Sequence, residues 1–385
     1  MAPDDLSISP VESKADLHRF VTFPAEIYRD DPNWVPPLIR EEKKKLTPGK
    51  NPFWEHAEGA CFLARRQGRT VGRIAAVKND LYNEYHNSAT GCFGFFESIR
   101  DQAVADGLLR EAENWLRERG MTEVIGPLNP STNDVCALLI EGFDRPPRVM
   151  MPYNPPWYRE LLEKAGYAKA KDLLAYDIPV PEQPEQLNPR LAPLLKALRS
   201  RGAAIRYIDL KHLDQEIEKV RDIYNEAWAH NWGFVPMTKA EAAHMARELK
   251  PLAEPRLAFF AEYRGVPAGV YVVLPDYNQV LKRMGGKLGP RQILTFLLGR
   301  RKIDAIRLMI AGIKPEFQKK GLDVLLFYES AKNSRELGYR DSEISWLLED
   351  NTLVIRATEA MGGTLSKRYR IFGKNLAESK KRESK

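Results

Sequence analysis

The sequence predicts an α/β (α+β) fold built on a mixed sheet and present as two tandem copies. Three observations predict it: a strand–turn–strand pattern written twice, an amphipathic helix after each, and a proline-rich seam between the copies. The seam is PVPEQPEQLNPRLAP, residues 179–193, with five prolines in 15 positions. Proline fixes φ and withholds an N–H, so this stretch reads as a semi-extended connector. It implies an N-terminal domain at 1–178, a linker at 179–193, a C-terminal domain at 194–376 and a basic tail at 377–385.

The repeat is legible element by element. FLARRQGRTVGRIAAV begins at Phe62 and FFAEYRGVPAGVYVV at Phe259. Each is an apolar strand, a turn, and a second strand. The turn glycines, Gly68 and Gly265, lie 197 residues apart. A helix follows in each half, GLLREAENWLRERG at 107–120 and GLDVLLFYESAKNSRELG at 321–338, with a closing glycine suited to a C-cap. Apolar strands come next, EVIGPL from Glu123 and EISWLL from Glu343, then a further helix and a final strand. No GxGxxG follows a strand, which disfavours a dinucleotide-binding fold.

A chain of 385 residues, 43% hydrophobic and 29% charged, can bury two ordinary cores. No apolar run approaches the roughly 18 residues a membrane span needs. The opening MAPDDLSISP has two acids, no basic residue and no apolar core, unlike a secretory leader. Cys61, Cys92 and Cys136 are isolated among apolar neighbours and read as buried thiols in a reducing compartment. The six histidines are scattered without zinc spacing, so no metal is expected.

Of the formal net charge of +7, residues 367–385 carry +6, from eight Lys/Arg and two Glu. The rest of the chain is close to neutral, which argues against a nucleic-acid surface. The expectation is a cytoplasmic protein whose basic tail offers peripheral contact with an anionic inner-membrane surface.

The stretch IKPEFQKKGLDVLLFYESAK, residues 313–332, joins a predicted strand, AIRLMIAGI, to a helix. Such a junction presents unpaired backbone N–H groups and a helix dipole to an anion, and Lys319 and Lys320 add charge. By itself, Gln318-x-x-Gly321 reads equally as a solvated turn. In context it resembles the acyl-CoA pyrophosphate loop, Q/R-x-x-G-x-G/A, of the GCN5-related N-acyltransferases (GNAT). Gln318-Lys319-Lys320-Gly321-Leu322 matches, whereas Asp323 replaces the small last residue. Asn351 and the helix ending near Gly362 resemble the family's second half, where two splayed strands admit the pantetheine arm. The family's tyrosine acid aligns with Thr358, so that role does not carry over.

DDPNWVPPLIREE, NPFWEH, GPLNPSTND, MPYNPPWY and KRYRIF resemble a bacterial two-domain subgroup, and a ceramide-forming enzyme of this type is similar in size. The resemblance implies acetyl-CoA or a longer acyl-CoA as donor, held by Ile313, Gln318 to Leu322 and Asn351, and an amine-bearing small molecule or lipid as acceptor.

In the first half, Glu97, Asp101 and Asp106 surround the equivalent junction and would repel phosphates, so the second half is the expected acyl-CoA binder. Two loops there stand out. PLNPSTND reads either as turn and cap chemistry, with Thr132 or Asn133 capping VCALLIEG, or as a polar lining for an acceptor that includes Asn129. MMPYNPPWYRELLEKAGY directs Tyr153, Asn154, Trp157 and Tyr158 either at a long-chain channel, with Trp34 in a further wall, or at the seal between domains.

Amide formation from a thioester needs a deprotonated amine, a polarised carbonyl and a protonated leaving group. Glu97, Glu349 and Asp350, at strand ends, are candidate bases, with His230 and Tyr369 further off; Glu349 and Asp350 could equally serve the next helix. No Ser-His-Asp order, GxSxG elbow or Cys-His pair is present, which points to direct transfer between an acceptor entering between the domains and the bound donor. A non-catalytic CoA-, lipid- or protein-binding protein on a decayed acyltransferase fold is the alternative, kept open by Asp323 and the missing tyrosine.

Overall fold

The computed structural model of the chain describes residues 5–184 and 191–377, so part of the proline-rich stretch and the end of the tail lie outside the described residues. The chain divides into two compact units. Unit 1 holds residues 1–173, 281–293 and 367–385; unit 2 holds 174–280 and 294–366.

Through the first half run β1 (Leu6–Pro10), α1 (Lys14–Thr22), α2 (Pro24–Ile27), α3 (Ile39–Lys45), β2 (Ala57–Arg66), β3 (Arg69–Asn79), α4 (Asp80–His86), β4 (Thr90–Ser98) and α5 (Gln102–Glu118). There follow β5 (Glu123–Gly126), the short β6 (Leu128–Asn129) and β7 (Val135–Cys136), β8 (Leu138–Glu141), α6 (Tyr158–Lys164) and β9 (Ala168–Pro179).

The second half has α7 (Leu191–Ser200), β10 (Ala203–Tyr207), α8 (Leu213–Trp228), α9 (Lys239–Leu249), β11 (Ala258–Tyr263), β12 (Val266–Pro275), α10 (Asn278–Met284) and α11 (Pro290–Gly299). It closes with β13 (Ala305–Ile313), α12 (Leu322–Glu336), β14 (Asp341–Leu348), α13 (Thr352–Ala360) and β15 (Thr364–Asn375).

In unit 1, β1 to β4 form an antiparallel meander, β5 joins β4 in parallel, and β15 pairs antiparallel with β5. In unit 2, β10 to β13 form the corresponding meander, β14 runs parallel to β13, and β9 lies beside β14. The chain thus returns to unit 1 for its last strand. The predicted hairpins are present. Gln67 and Gly68 have φ of 49° and 75°, and Arg264 and Gly265 have 51° and 79°, the paired left-handed geometry of a tight two-residue turn.

The helices after β4 and β13 bury one face each. On α5 the buried residues Val104, Ala105, Leu108, Leu109, Ala112 and Leu116 recur at three- and four-residue spacing. Fully burying such a leucine contributes roughly 1.5–3 kcal/mol. α5 begins five residues before the predicted Gly107, because the Asp101 carboxylate accepts from the N–H groups of Ala103 and Val104 at 2.9 and 3.4 Å. VCALLIEG is not a capped helix: its residues form β7 and β8, and β8 pairs with β15. Its run of β-compatible apolar residues finds ladder partners that no local cap could supply.

Two substitutions test this architecture by urea denaturation. Asp101→Ala, which uncaps α5, is expected to cost about 1 kcal/mol. Gly94→Ala is expected to cost more, about 3 kcal/mol, because its Cβ would lie 1.7 Å from the Leu128 carbonyl oxygen.

Candidate active site

The two units differ most where the strand before the long helix parts from its parallel neighbour. In unit 1, β4 and β5 pair from Thr90↔Glu123 to Cys92↔Ile125. Beyond that the gap is filled by the chain itself. Gly94 packs against the Leu128 carbonyl, a Cβ at Gly126 would lie 2.3 Å from the Phe93 carbonyl, and Asn129 Oδ1 accepts from the Phe95 N–H at 2.6 Å. All nine residues of β4 are buried. The Asp101 carboxylate occupies the α5 N-terminus and also pairs with Arg66 at 2.8 Å. The β4–β5 gap and the α5 N-terminus are thus both occupied by the chain's own groups.

Unit 2 is open at the same point. β13 and β14 pair only from Ala305↔Asp341 to Leu308↔Ile344. β13 then runs on to Ile313 with Ala311 exposed in mid-strand. An exposed alanine inside a sheet marks an uncovered edge, whose backbone N–H and C=O groups are available to a ligand. At the fork, Arg307 and Glu343 face each other in register, 4% and 1% exposed. Arg307 Nε donates to Ser345 Oγ at 2.9 Å, Arg307 Nη2 to the Ser345 carbonyl at 3.1 Å, and Ser345 Oγ to Glu343 Oε1 at 2.6 Å. A shift in register between Val272 and Val273 leaves Met309 as an extra residue in β13, just past the fork.

β13 ends in the predicted turn. Gln318 Nε2 reaches back to the Ile313 carbonyl at 3.3 Å. Lys319 and Gly321 have φ of 60° and 80°, and Gly321 is the N-cap of α12 with no side-chain cap. The first-turn N–H groups therefore lack the carboxylate that Asp101 gives α5. Lys320 Nζ sits 4.8 Å from the Tyr263 ring centroid and 4.7 Å from that of Phe317, which orients its charge at the turn. Asp323 is exposed, and a carboxylate in a first helical turn is favourable to the dipole. Past β14, Glu349 is half-buried and Asp350 exposed; Asn351 caps α13 by accepting from the Val354 N–H at 3.4 Å. Thr358 is buried in α13 and His230 is exposed, whereas Tyr369 is fully buried in unit 1.

A partly open apolar pocket lies in unit 2 between the sheet and helices α8 and α9. Its floor is Val272 and Ile310, its walls include Ile217, Val220 and Tyr224 of α8 and Met245, Ala246 and Leu249 of α9, and Met237 also lines it. Lys250 at its edge is the one charged residue among these. Ile310 adjoins the extra residue of β13, so the cavity begins beside the open strand edge. Sequence reasoning missed it, though the apolar periodicity of α8 and α9 was present.

The residues expected on the acceptor side stand in unit 1. Glu97 accepts from the hydroxyls of Tyr28 and Tyr158 at 2.9 and 2.8 Å and pairs with Arg73 at 3.5 Å. Arg73 and Glu97 are cross-strand partners. Burial raises the Glu97 carboxyl above the ordinary carboxylate range, and Arg73 and the two phenols oppose it. Burial and the neighbouring Glu97 push the Tyr28 and Tyr158 phenols well up. Trp34 stacks on Tyr28 at 5.0 Å, and the Tyr153 hydroxyl donates to Asp31 at 3.0 and 3.2 Å. Tyr28, Arg73 and Asp31 were not foreseen, although a lone arginine in the apolar VGRIAAV was a signal.

Asn154 is buried with its amide bonded to the Leu139 N–H, the Leu139 carbonyl and the Pro155 carbonyl. Trp157 is half-buried with its ring edge-on to Tyr158. Thr132 and Asn133 are half-buried, and Ser131 accepts from the Asn133 N–H at 3.1 Å. The Cys61 and Cys92 thiols are both pushed up to about 12 by burial, which leaves them inert as nucleophiles. Among the described residues no group of three His, Cys, Asp or Glu could hold a metal ion, and no helix is long and apolar enough to cross a membrane.

The raised Glu97 makes a prediction in pH. The folded state holds the Glu97 proton more tightly than the unfolded state does, so its contribution is full below pH ~4.5 and is lost as pH rises through the raised folded value. The stability of the wild type relative to Glu97→Gln, from urea denaturation at a series of pH values, is expected to fall across that interval. A difference that does not vary with pH would contradict the assignment.

No protein-family profile matches the chain. It is 40% identical over 384 residues to the bacterial ceramide synthase of Caulobacter vibrioides (strain NA1000 / CB15N), an alignment covering 97% of this chain and 98% of that protein. It is 35% identical over 371 residues to protein YghO of Escherichia coli (strain K12), covering 94% of each. Two solved structures share the fold at 14% identity. The tandem GNAT protein from the clavulanic acid biosynthesis pathway has a TM-score of 0.57, over 97% of this chain and 99% of that one. A GCN5-related N-acetyltransferase from Sphaerobacter thermophilus has a TM-score of 0.51, over 98% and 97%. With a near full-length relative of this identity, the chain belongs to the family of the bacterial ceramide synthase, has the GNAT fold and is an acyltransferase.

Proposed function

We propose that unit 2 binds a long-chain acyl-CoA and passes its acyl group directly to an amine of lipid character. The observation that carries this is the open edge of β13, which runs from the uncapped turn at Gly321 to the apolar cavity at Ile310. In this reading the pyrophosphate rests on the N–H groups of Gly321 and Leu322, with Gln318, Lys319 and Lys320 around it. The pantetheine follows β13 from Ile313 toward Met309, a path of about 13 Å at ~3.3 Å per residue. The thioester then lies at the mouth of the cavity, and the acyl chain enters it. Burying each methylene there contributes about 0.8 kcal/mol, so affinity grows with chain length until the cavity is full.

The chemistry needs no covalent enzyme intermediate. A carboxylate takes a proton from the ammonium of the acceptor, and Glu349, half-buried at the end of β14, is the proposed base, with Asp350 beside it. The amine nitrogen attacks the thioester carbon, and β13 backbone N–H groups hold the oxyanion. The C–S bond breaks, and the second amine proton leaves with the thiolate as CoA thiol. A ceramide is an N-acylated sphingoid amine, so the Caulobacter relative's name supports a long chain and an amide product here too. Asn154 and Tyr158 bond within the chain and are not retained as acceptor contacts in this reading.

Two measurements test the donor site. Gly321→Val, which strains a left-handed φ and adds bulk beside Leu198, is expected to weaken CoA binding at least tenfold by calorimetry. Ala246→Trp, which fills the cavity, is expected to abolish turnover of a palmitoyl-CoA while leaving acetyl-CoA binding intact. Equal loss with both donors would place the chain elsewhere.

A further inference from the structure

Thirteen large hydrophobic side chains are exposed among the described residues, and five of them fall between Leu288 and Leu298. Four belong to α11: Ile293, Leu294, Leu297 and Leu298 are 49, 57, 49 and 63% exposed. Their spacing, i, i+1, i+4 and i+5, places them on one stripe of the helix. None of the ten residues of α11 is buried. The helix is nevertheless anchored from its other side. Phe296 stacks on Tyr277 with ring centroids 5.5 Å apart, and Gly299 packs so closely on Val280 that a Cβ there would lie 2.9 Å from a Val280 methyl.

An apolar stripe held out by an anchored helix costs free energy in water, so it marks a contact surface. Its surroundings select the kind of contact. Between Asp276 and Asp304 the sequence has seven Lys/Arg and no acidic residue. Arg300, Arg301 and Lys302 follow α11 directly, and all three are exposed. Leucines flanked by basic residues and free of acids complement the acyl boundary and the anionic headgroups of a bilayer. At ten residues α11 is too short to span one and suits lying in its interface.

We propose that α11 and the basic run after it form a docking surface for an anionic lipid bilayer. Leu294, Leu297 and Leu298 enter the acyl boundary while Arg300, Arg301 and Lys302 meet headgroup phosphates. The basic tail beyond residue 377, the segment the sequence alone suggests for such contact, lies outside the described residues. The docking surface stands independently of the acyl-CoA reading, because none of its residues belongs to the turn, the β13 edge or the cavity.

The experiment is co-sedimentation of the full chain with phosphatidylcholine–phosphatidylglycerol vesicles and with phosphatidylcholine vesicles alone. Binding is expected to the anionic vesicles, to weaken with salt, and to fall at least tenfold in Leu294→Glu/Leu298→Glu. The triple variant Arg300→Gln/Arg301→Gln/Lys302→Gln is expected to lose about fivefold for each charge removed. A chain ending at residue 377 separates the tail from the helix, and thermal denaturation of every variant checks that it is folded. Retained binding in that truncation supports the proposal. Failure to bind anionic vesicles overturns it, as does binding that survives the leucine changes or vanishes with the tail alone. A dimer seen by light scattering and abolished by the leucine changes, without vesicle binding, would assign the stripe to a second copy instead and overturn the proposal.

Discussion

The buried Arg307–Ser345–Glu343 network holds the fork from which the open strand edge of unit 2 starts. Two charges at 4% and 1% exposure are tolerated only because hydrogen bonds meet them. Breaking one partner would leave the other stranded in a low-dielectric core, so the apex of the fork is rigid. Beyond it β13 and β14 part, and the features on which the proposed donor site rests follow along one strand. An extra residue at Met309, an exposed edge at Ala311 and an uncapped helix at Gly321 lie in sequence on that path.

The two units are the same order of elements with opposite treatments of this place. Unit 1 fills its fork with residues 127–129 and closes its helix end with Asp101. Unit 2 has Gly321, with no side-chain cap, at the corresponding helix end. The difference is a matter of hydrogen bonds: the helix-end donors that Asp101 satisfies in unit 1 have no side-chain cap in unit 2. Glu97 of unit 1, with Arg73, Tyr28 and Tyr158 around the same carboxyl group, likewise spends its hydrogen-bonding capacity within the chain.

Local patterns made much of the fold legible in advance. The hairpin turns announce themselves because only left-handed-tolerant residues fit them, and both appear with Gly68 and Gly265. The long helices are legible from apolar spacing, and Gln318 to Gly321 from the need for free N–H groups at a strand–helix junction. Misreadings occur where a partner far away in sequence decides. VCALLIEG looked cappable, but β8 finds β15 some 230 residues later.

The sequence by itself determined the duplicated strand–helix units and the strand–turn–helix junction at Gln318 to Gly321, because each rests on neighbouring residues and backbone geometry. Only the tertiary structure decided that the last strand completes unit 1, that the first fork is plugged, and that α8 and α9 stand off the sheet far enough to leave an apolar cavity. Strand partnership and cavity volume depend on how separate elements pack. Ladder hydrogen bonds and van der Waals contacts between distant residues set that packing, and no local pattern encodes them.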